Sequence, residues 1–248
     1  MPASDAFFAG DLVVNAQGEL VSSKVQVPDE QWRRRARMTL LGCDWLGPEA
    51  VLTPIRGIHT ALARGGTECD GWWRTSLLGD AAVVHVPQGT AATDIVFALP
   101  QASRITFVGL AGGLRNQPIG TTVDPVSAFI ADPSGGVSGQ SPLSTDLSFH
   151  SRSHPAKPLV PGAVAATVGC LADSTLLHNQ LTGAADCVDM ESAHLFSAAA
   201  LAGHQVRCLL VISDHNRDGD VFTSTPERIA AAVDDLCQSI QEDLTGGQ

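Results

Sequence analysis

Tyrosine is absent from this chain of 248 residues, and aromatics make up only 5% of it. A flat ligand that needs stacking must therefore find one of eight Phe or four Trp. Basic residues are scarce too: 15 Lys and Arg stand against 26 Asp and Glu, a net charge of −11. That balance excludes the basic face that a nucleic-acid partner would need. No apolar run approaches the ~20 residues that span a bilayer, so no membrane partner is expected. The opening MPASDAFFAGDLVV is acidic where a secretory leader is basic, and a cytoplasmic location is expected. The six Cys (43, 69, 170, 187, 208, 237) form no CxxC and no regular spacing. They read as reduced thiols, and neither a metal nor a cofactor is expected.

What is present suits one α/β domain with a sizeable core, since 44% of the residues are apolar. Patterning predicts a strand over 38–42, a helix over about 49–63, a strand over 82–86 and a helix over about 91–99. Strands over 104–109, 121–128 and 163–169 follow. Met190 to Ala202 is rich in Ala and Leu without Gly or Pro, which predicts a buried helix closed by Gly203. Val206 to Ile212 reads as a fully buried strand. Ile229, Val233, Leu236, Ile240 and Leu244 line one face of a last helix, which Thr225 would cap and Pro226 would start. Residues 1–37 are expected to be an N-terminal extension, with a hairpin arm over 11–27, ahead of a catalytic domain over 38–248. The cluster Arg33, Arg34, Arg35 and Arg37 reads as a solvated face, an interface or a phosphate contact.

Chemistry concentrates in two strings. Val188-Asp189-Met190-Glu191-Ser192-Ala193 puts carboxylates at the start of a buried helix, where the macrodipole favours them. Val211-Ile212-Ser213-Asp214 puts another at the C-terminal end of a buried strand, the edge where open α/β sheets bind ligands. By position alone, Glu191 could equally cap its helix and Asp214 a turn.

These strings, together with the upstream Phe107-Val108-Gly109-Leu110-Ala111-Gly112-Gly113-Leu114, resemble the nucleoside phosphorylase/nucleosidase superfamily. The resemblance covers roughly residues 38 to 245. It implies a three-layer α/β/α fold around a mixed, partly barrel-like sheet. It also implies a small nucleoside substrate and a homodimer or higher homo-oligomer. Met190 and Glu191, with Asp189 beside them, would hold the sugar; a carboxylate suits two hydroxyl donors because it only accepts. Asp214 would be the general acid that protonates a purine leaving group, with burial raising its pKa. Arg228 would assist it. A turn at Gly109, Gly112 and Gly113 would bring Ala111 and Gly112 close to the sugar. Thr90 would border the nucleophile pocket, Val168 the base, and Phe149 would stack on the base, with His150 and His154 toward the 5′ side.

The resemblance departs from the phosphorylases at their phosphate site. No Arg follows the expected first strand 38–42, and Phe107 occupies the place of a second phosphate Arg. An aromatic ring cannot replace the hydration of a dianion. The nucleosidases carry a water-orienting Glu on their first helix, for which Glu49 is the candidate and Asp44 an alternative. The expected activity is hydrolysis of an N-glycosidic bond. The alternatives are a phosphorylase whose phosphate site is rebuilt from Arg56, Arg64 or Arg115, and a non-catalytic nucleoside-binding relative.

Overall fold

A ten-stranded sheet organises the chain, part of it closed and part of it open. The computed structural model describes residues 28–131, 133, 143–144, 159–215 and 226–245. The first half runs α1 (Glu30–Leu40), β1 (Glu49–Thr53), α2 (Arg56–Leu62), β2 (Thr67–Cys69), β3 (Thr75–Leu78) and β4 (Ala81–His85). A 3-10 turn (Gly89–Thr93) and α3 (Asp94–Ala98) lead to β5 (Arg104–Gly113) and β6 (Thr122–Ala131). Then come β7 (Leu143–Ser144), β8 (Leu159–Val168), α4 (Leu171–Leu176), α5 (His178–Ala184) and β9 (Cys187–Asp189). The chain closes with α6 (Ser192–Ala202), β10 (Gln205–His215) and α7 (Pro226–Thr245).

β5 pairs with β10, β10 with β6, β6 with β8, β8 with β9, and β9 returns to β5. That ring is the barrel. β1, β4, β3 and β2 extend from β5 as an open wing. Helices cover both faces. Cys208, Leu210 and Ile212 of β10 pack with Val96 of α3 and Phe196 of α6. Leu209 and Val211 point the other way, toward Ile58 of α2 and Ile240 of α7. With both faces of β10 buried, its sequence shows no polar alternation. This is the three-layer, partly barrel-like fold that the resemblance implied.

The N-terminal elements differ from the sequence expectation. Residues 38–42 are not a strand; they end α1, which crosses the boundary expected at residue 37. Asp29 starts the helix by accepting from the Trp32 N–H at 2.8 Å. One turn apart, Arg33 and Arg37 turn inward and donate to the Leu99 and Ala98 carbonyls, at 2.6 and 2.9 Å. Those carbonyls end α3, where cations are favoured and acceptors lack partners. Half of the arginine cluster is thus buried structure, and Arg34 pairs with Asp44 at 2.9 Å. Residues 49–53 form the first strand rather than a helix, because Ala50, Val51 and Leu52 are buried between β4 and β5. The glycines of β5 make no turn: the strand runs on through Gly113, paired with β9 and β10. The arm over 11–27 and the cap at Thr225 lie outside the described residues. Among those described, no helix is long and apolar enough to cross a membrane.

One buried ion pair stitches the barrel. Arg207 of β10 donates to Asp124 of β6 at 2.8 and 3.0 Å, and each side chain is only 3% exposed. Replacing Arg207 with Ala leaves a buried carboxylate without its guanidinium and is expected to cost about 3–5 kcal/mol. Urea unfolding of the variant checks this, and a loss below about 1 kcal/mol would contradict it.

Candidate active site

The candidate site is built around one strand, β5. β10 pairs with β5 along its whole length. On the other edge, β1 pairs with Arg104 to Phe107, and β9 pairs with Gly112 and Gly113. Among the described residues, no strand pairs with Val108 to Ala111 on that edge. The result is an opening in the sheet, above the C-terminal end of β1 and beside the end of β9. It lies at the C-terminal ends of the parallel strands β1, β4, β5 and β10, where α/β sheets bind ligands.

β9 delivers the first acid. Val188 faces Gly112 across the ladder, and the chain then turns through Asp189, Met190 and Glu191 into α6. Asp189 holds this turn together. Its Oδ1 accepts from the Thr167 hydroxyl at 2.7 Å, and its Oδ2 accepts from the Ser192 N–H at 2.8 Å and from the Ser192 hydroxyl. Thr167 in turn accepts from the Ala193 N–H at 2.9 Å. Asp189 is therefore corrected from a substrate contact to a buried cap of α6. Glu191 is freed from capping and reaches across to the 3-10 turn, where Oε1 accepts from the Gly89 N–H at 2.7 Å. It is 5% exposed. Burial, and then the nearby charge of Asp189, push its carboxyl up to about 7. Met190 is half-buried and packs on the cluster of Phe129, Val168, Leu177 and Leu181.

β10 delivers the second acid from the opposite edge. A bulge between Ile212 and Asp214 sets Asp214 beside Gly112. The Ser213 hydroxyl lies 2.7 Å from the Asp214 carboxylate and 3.3 Å from the Ala111 carbonyl. Burial raises the Asp214 pKa, while the Ser213 hydrogen bond and the His215 charge pull it down. Gly112 thus stands between Val188 and Asp214, and β9 and β10 lie two strand spacings apart, roughly 10 Å.

Other expected site residues fall in different places. Glu49 starts β1 at the N-terminal edge of the sheet and pairs with Arg104. At about 3.3 Å per residue, that is roughly 25 Å from the level of Gly112. It cannot orient a nucleophile here, and Asp44 is held by Arg34 and Arg37. Val168 is 2% exposed within the third apolar cluster, so its side chain is core and not pocket lining. Ala111 is buried and Gly112 half-buried along the strand. Thr90 is exposed directly after Gly89. Arg228 is exposed on the first turn of α7. Its backbone abuts Gly120, whose N–H bonds the Ile212 carbonyl at 2.8 Å, two residues before Asp214. Phe149, His150 and His154 lie outside the described residues. Sequence reasoning did not single out Gly89, Ser213 and His215 as neighbours of the two acids. The last two flank Asp214 in the very string that drew attention to it.

A family model described as the phosphorylase superfamily matches residues 80–242. No curated protein gives a significant match. Among solved structures, the AMP nucleosidase of Bacteroides thetaiotaomicron is 17% identical over 86% of this chain and 98% of its own, with a TM-score of 0.63. The futalosine hydrolase of Helicobacter pylori is 16% identical over 82% of this chain and 99% of its own, at 0.65. The purine nucleoside phosphorylase of Toxoplasma gondii is 12% identical over 82% and 92%, at 0.66. At these identities the likeness is one of fold.

Proposed function

Because the chain belongs to the phosphorylase superfamily, we propose that it cleaves the N-glycosidic bond of a purine nucleoside or a 5′-modified relative, with water as the acceptor. The observation that carries this reading is the pair of acids. Glu191 follows the strand on one side of β5 and Asp214 lies on the strand on its other side, and both carboxyls are shifted upward. Glu191, ionised, grips ribose hydroxyls beside Met190. Asp214, protonated, donates to the base as the bond breaks, with His215 beside it and Arg228 assisting from the first turn of α7. The sugar becomes oxocarbenium-like, so stabilising charge matters more than a strong nucleophile. A water at the opening near Gly89 and Thr90 then adds, and Glu191 takes up its proton. The reading includes a homodimer or higher assembly in the cytoplasm. Retention of both acids in a formed site supports catalysis over mere binding.

Water is favoured over phosphate because Phe107 is wholly buried in the core, and Arg115 is paired with Asp186 at 2.8 Å. One observation favours phosphorolysis as the second reading. With the first strand ending at Thr53, α2 opens on Arg56, an exposed cation at the same sheet edge. Release of free base from a panel of purine nucleosides and 5′-substituted analogues, with and without phosphate, separates the two. Hydrolysis predicts equal rates and a free sugar. Strict phosphate dependence, lost in Arg56→Ala, would replace it with phosphorolysis.

A further inference from the structure

Two of the six thiols meet at the seam between α1 and the open wing. After α1 the chain reverses through Gly42, at φ +76°, a conformation that favours glycine. There its backbone lies directly on that of the β2–β3 turn. A Cβ on Gly42 would come within 2.2 Å of the Asp70 carbonyl carbon, and one on Gly71 within 2.4 Å of the Gly42 nitrogen. Only glycines allow so close a crossing. The Trp72 N–H donates to the Thr39 carbonyl at 3.0 Å, and the Trp73 N–H to the Leu40 carbonyl at 2.9 Å. Cys43 follows Gly42 and Cys69 precedes Asp70, so the crossing sets the two cysteines side by side, close enough for Cys69 to act on the Cys43 thiol. Both are half-buried, within reach of small reagents. By contrast, Cys187, Cys208 and Cys237 are buried, and Cys170 is exposed before α4.

We propose that Cys43 and Cys69 form a redox-active dithiol that closes to a disulfide on exposure to a small-molecule disulfide such as oxidised glutathione, fastening α1 to the β2–β3 hairpin. Burial, and then its neighbour Cys69, push the Cys43 thiol up to about 12, and Cys69 opens the reaction. Its thiolate attacks one glutathione sulfur, breaks that S–S bond and expels a glutathione thiolate. The Cys43 sulfur then attacks the Cys69 sulfur and expels the second glutathione, its proton passing to that leaving thiolate. Two protein thiols are oxidised, and one glutathione disulfide is reduced to two thiols.

The test is peptide mapping of the full chain without reduction, after incubation with oxidised glutathione. The expected product is a Cys43–Cys69 linked peptide, two hydrogens lighter than its parts and reversed by dithiothreitol. The closed loop is expected to raise Tm by roughly 5–10 °C. Cys43→Ser should stop at a stable glutathione adduct on Cys69, and Cys69→Ser should leave Cys43 unlinked. A glutathione adduct persisting on Cys69 of the unsubstituted chain overturns the proposal. So does a link that includes Cys170, or no modification at either residue.

Discussion

Replacing Glu191 with Gln is expected to stop turnover and to stabilise the fold above pH 7. The two effects share a cause. Glu191 is nearly inaccessible, and burial together with the Asp189 charge raises its carboxyl to about 7. In the unfolded chain the same group titrates near ~4.3. Between those values the folded state binds more protons than the unfolded one, so stability falls as pH rises through that window. The cost is complete above pH 7 and, at ~1.4 kcal/mol per pH unit, amounts to about 4 kcal/mol. Gln carries no charge and keeps an oxygen for the Gly89 N–H. Urea unfolding at pH 8 should therefore show the variant more stable by up to ~4 kcal/mol, with the gap closing toward pH 5. Ribose hydroxyls lose their ionic acceptor, and kcat/KM should drop by about two orders of magnitude or more. Unchanged stability at pH 8 would remove the charged, buried Glu191 from the account. Full activity would remove it from the mechanism.

The second large effect is expected at Asp214. Asparagine fills the same space and keeps a hydrogen bond with Ser213, but it has no acidic proton to give. Loss of a positioned acid lowers kcat by roughly 10²–10⁴. A substrate tells acid catalysis apart from simple damage. A 7-methylpurine nucleoside already carries positive charge on its base, so its leaving group needs no proton. Asp214→Asn should release 7-methylguanine within about tenfold of the unsubstituted enzyme while failing on guanosine or adenosine. Equal losses on both kinds of substrate would assign Asp214 to binding or to local structure instead.

The positions of the two acids were legible because each stands at one end of a long, strongly patterned element. Met190 to Ala202 and Val206 to Ile212 are unmistakable apolar runs, and α6 and β10 follow them within two or three residues. Gly203 closes α6 at φ +73°, as its sequence position suggested. The N-terminal half misled for a matching reason. Met38 to Leu41 and Ala50 to Leu52 are both short apolar stretches, and such runs do not declare helix or strand. Pairing between β4 and β5 decided the second, and the docking of Arg33 and Arg37 on α3 decided the first. Setting the first strand one element too early moved Glu49 from one end of the sheet to the other. Of the three arginines considered for a rebuilt phosphate site, Arg56 was set at the C-terminal edge of the sheet only once β1 was located. The glycines of β5 read locally as a turn. They are held straight by β9 and β10, which come from distant parts of the chain. β9 itself is three residues long and exists only as a rung between β5 and β8.

That position of Gly112, with Val188 on one side and Asp214 on the other, also bears on the order in which the protein acquires activity. The three residues come from far-apart stretches of chain, and the last of them sits near the end of the last strand. Closing such long loops is the slow part of folding, whereas helices form in microseconds. On the proposed reading, a nascent chain that has emerged only as far as α6 holds the carboxylate for the sugar but no acid for the base. Catalytic competence is therefore expected in one late step, when β10 pairs beside β5, so that the proposed turnover would report that the barrel has closed.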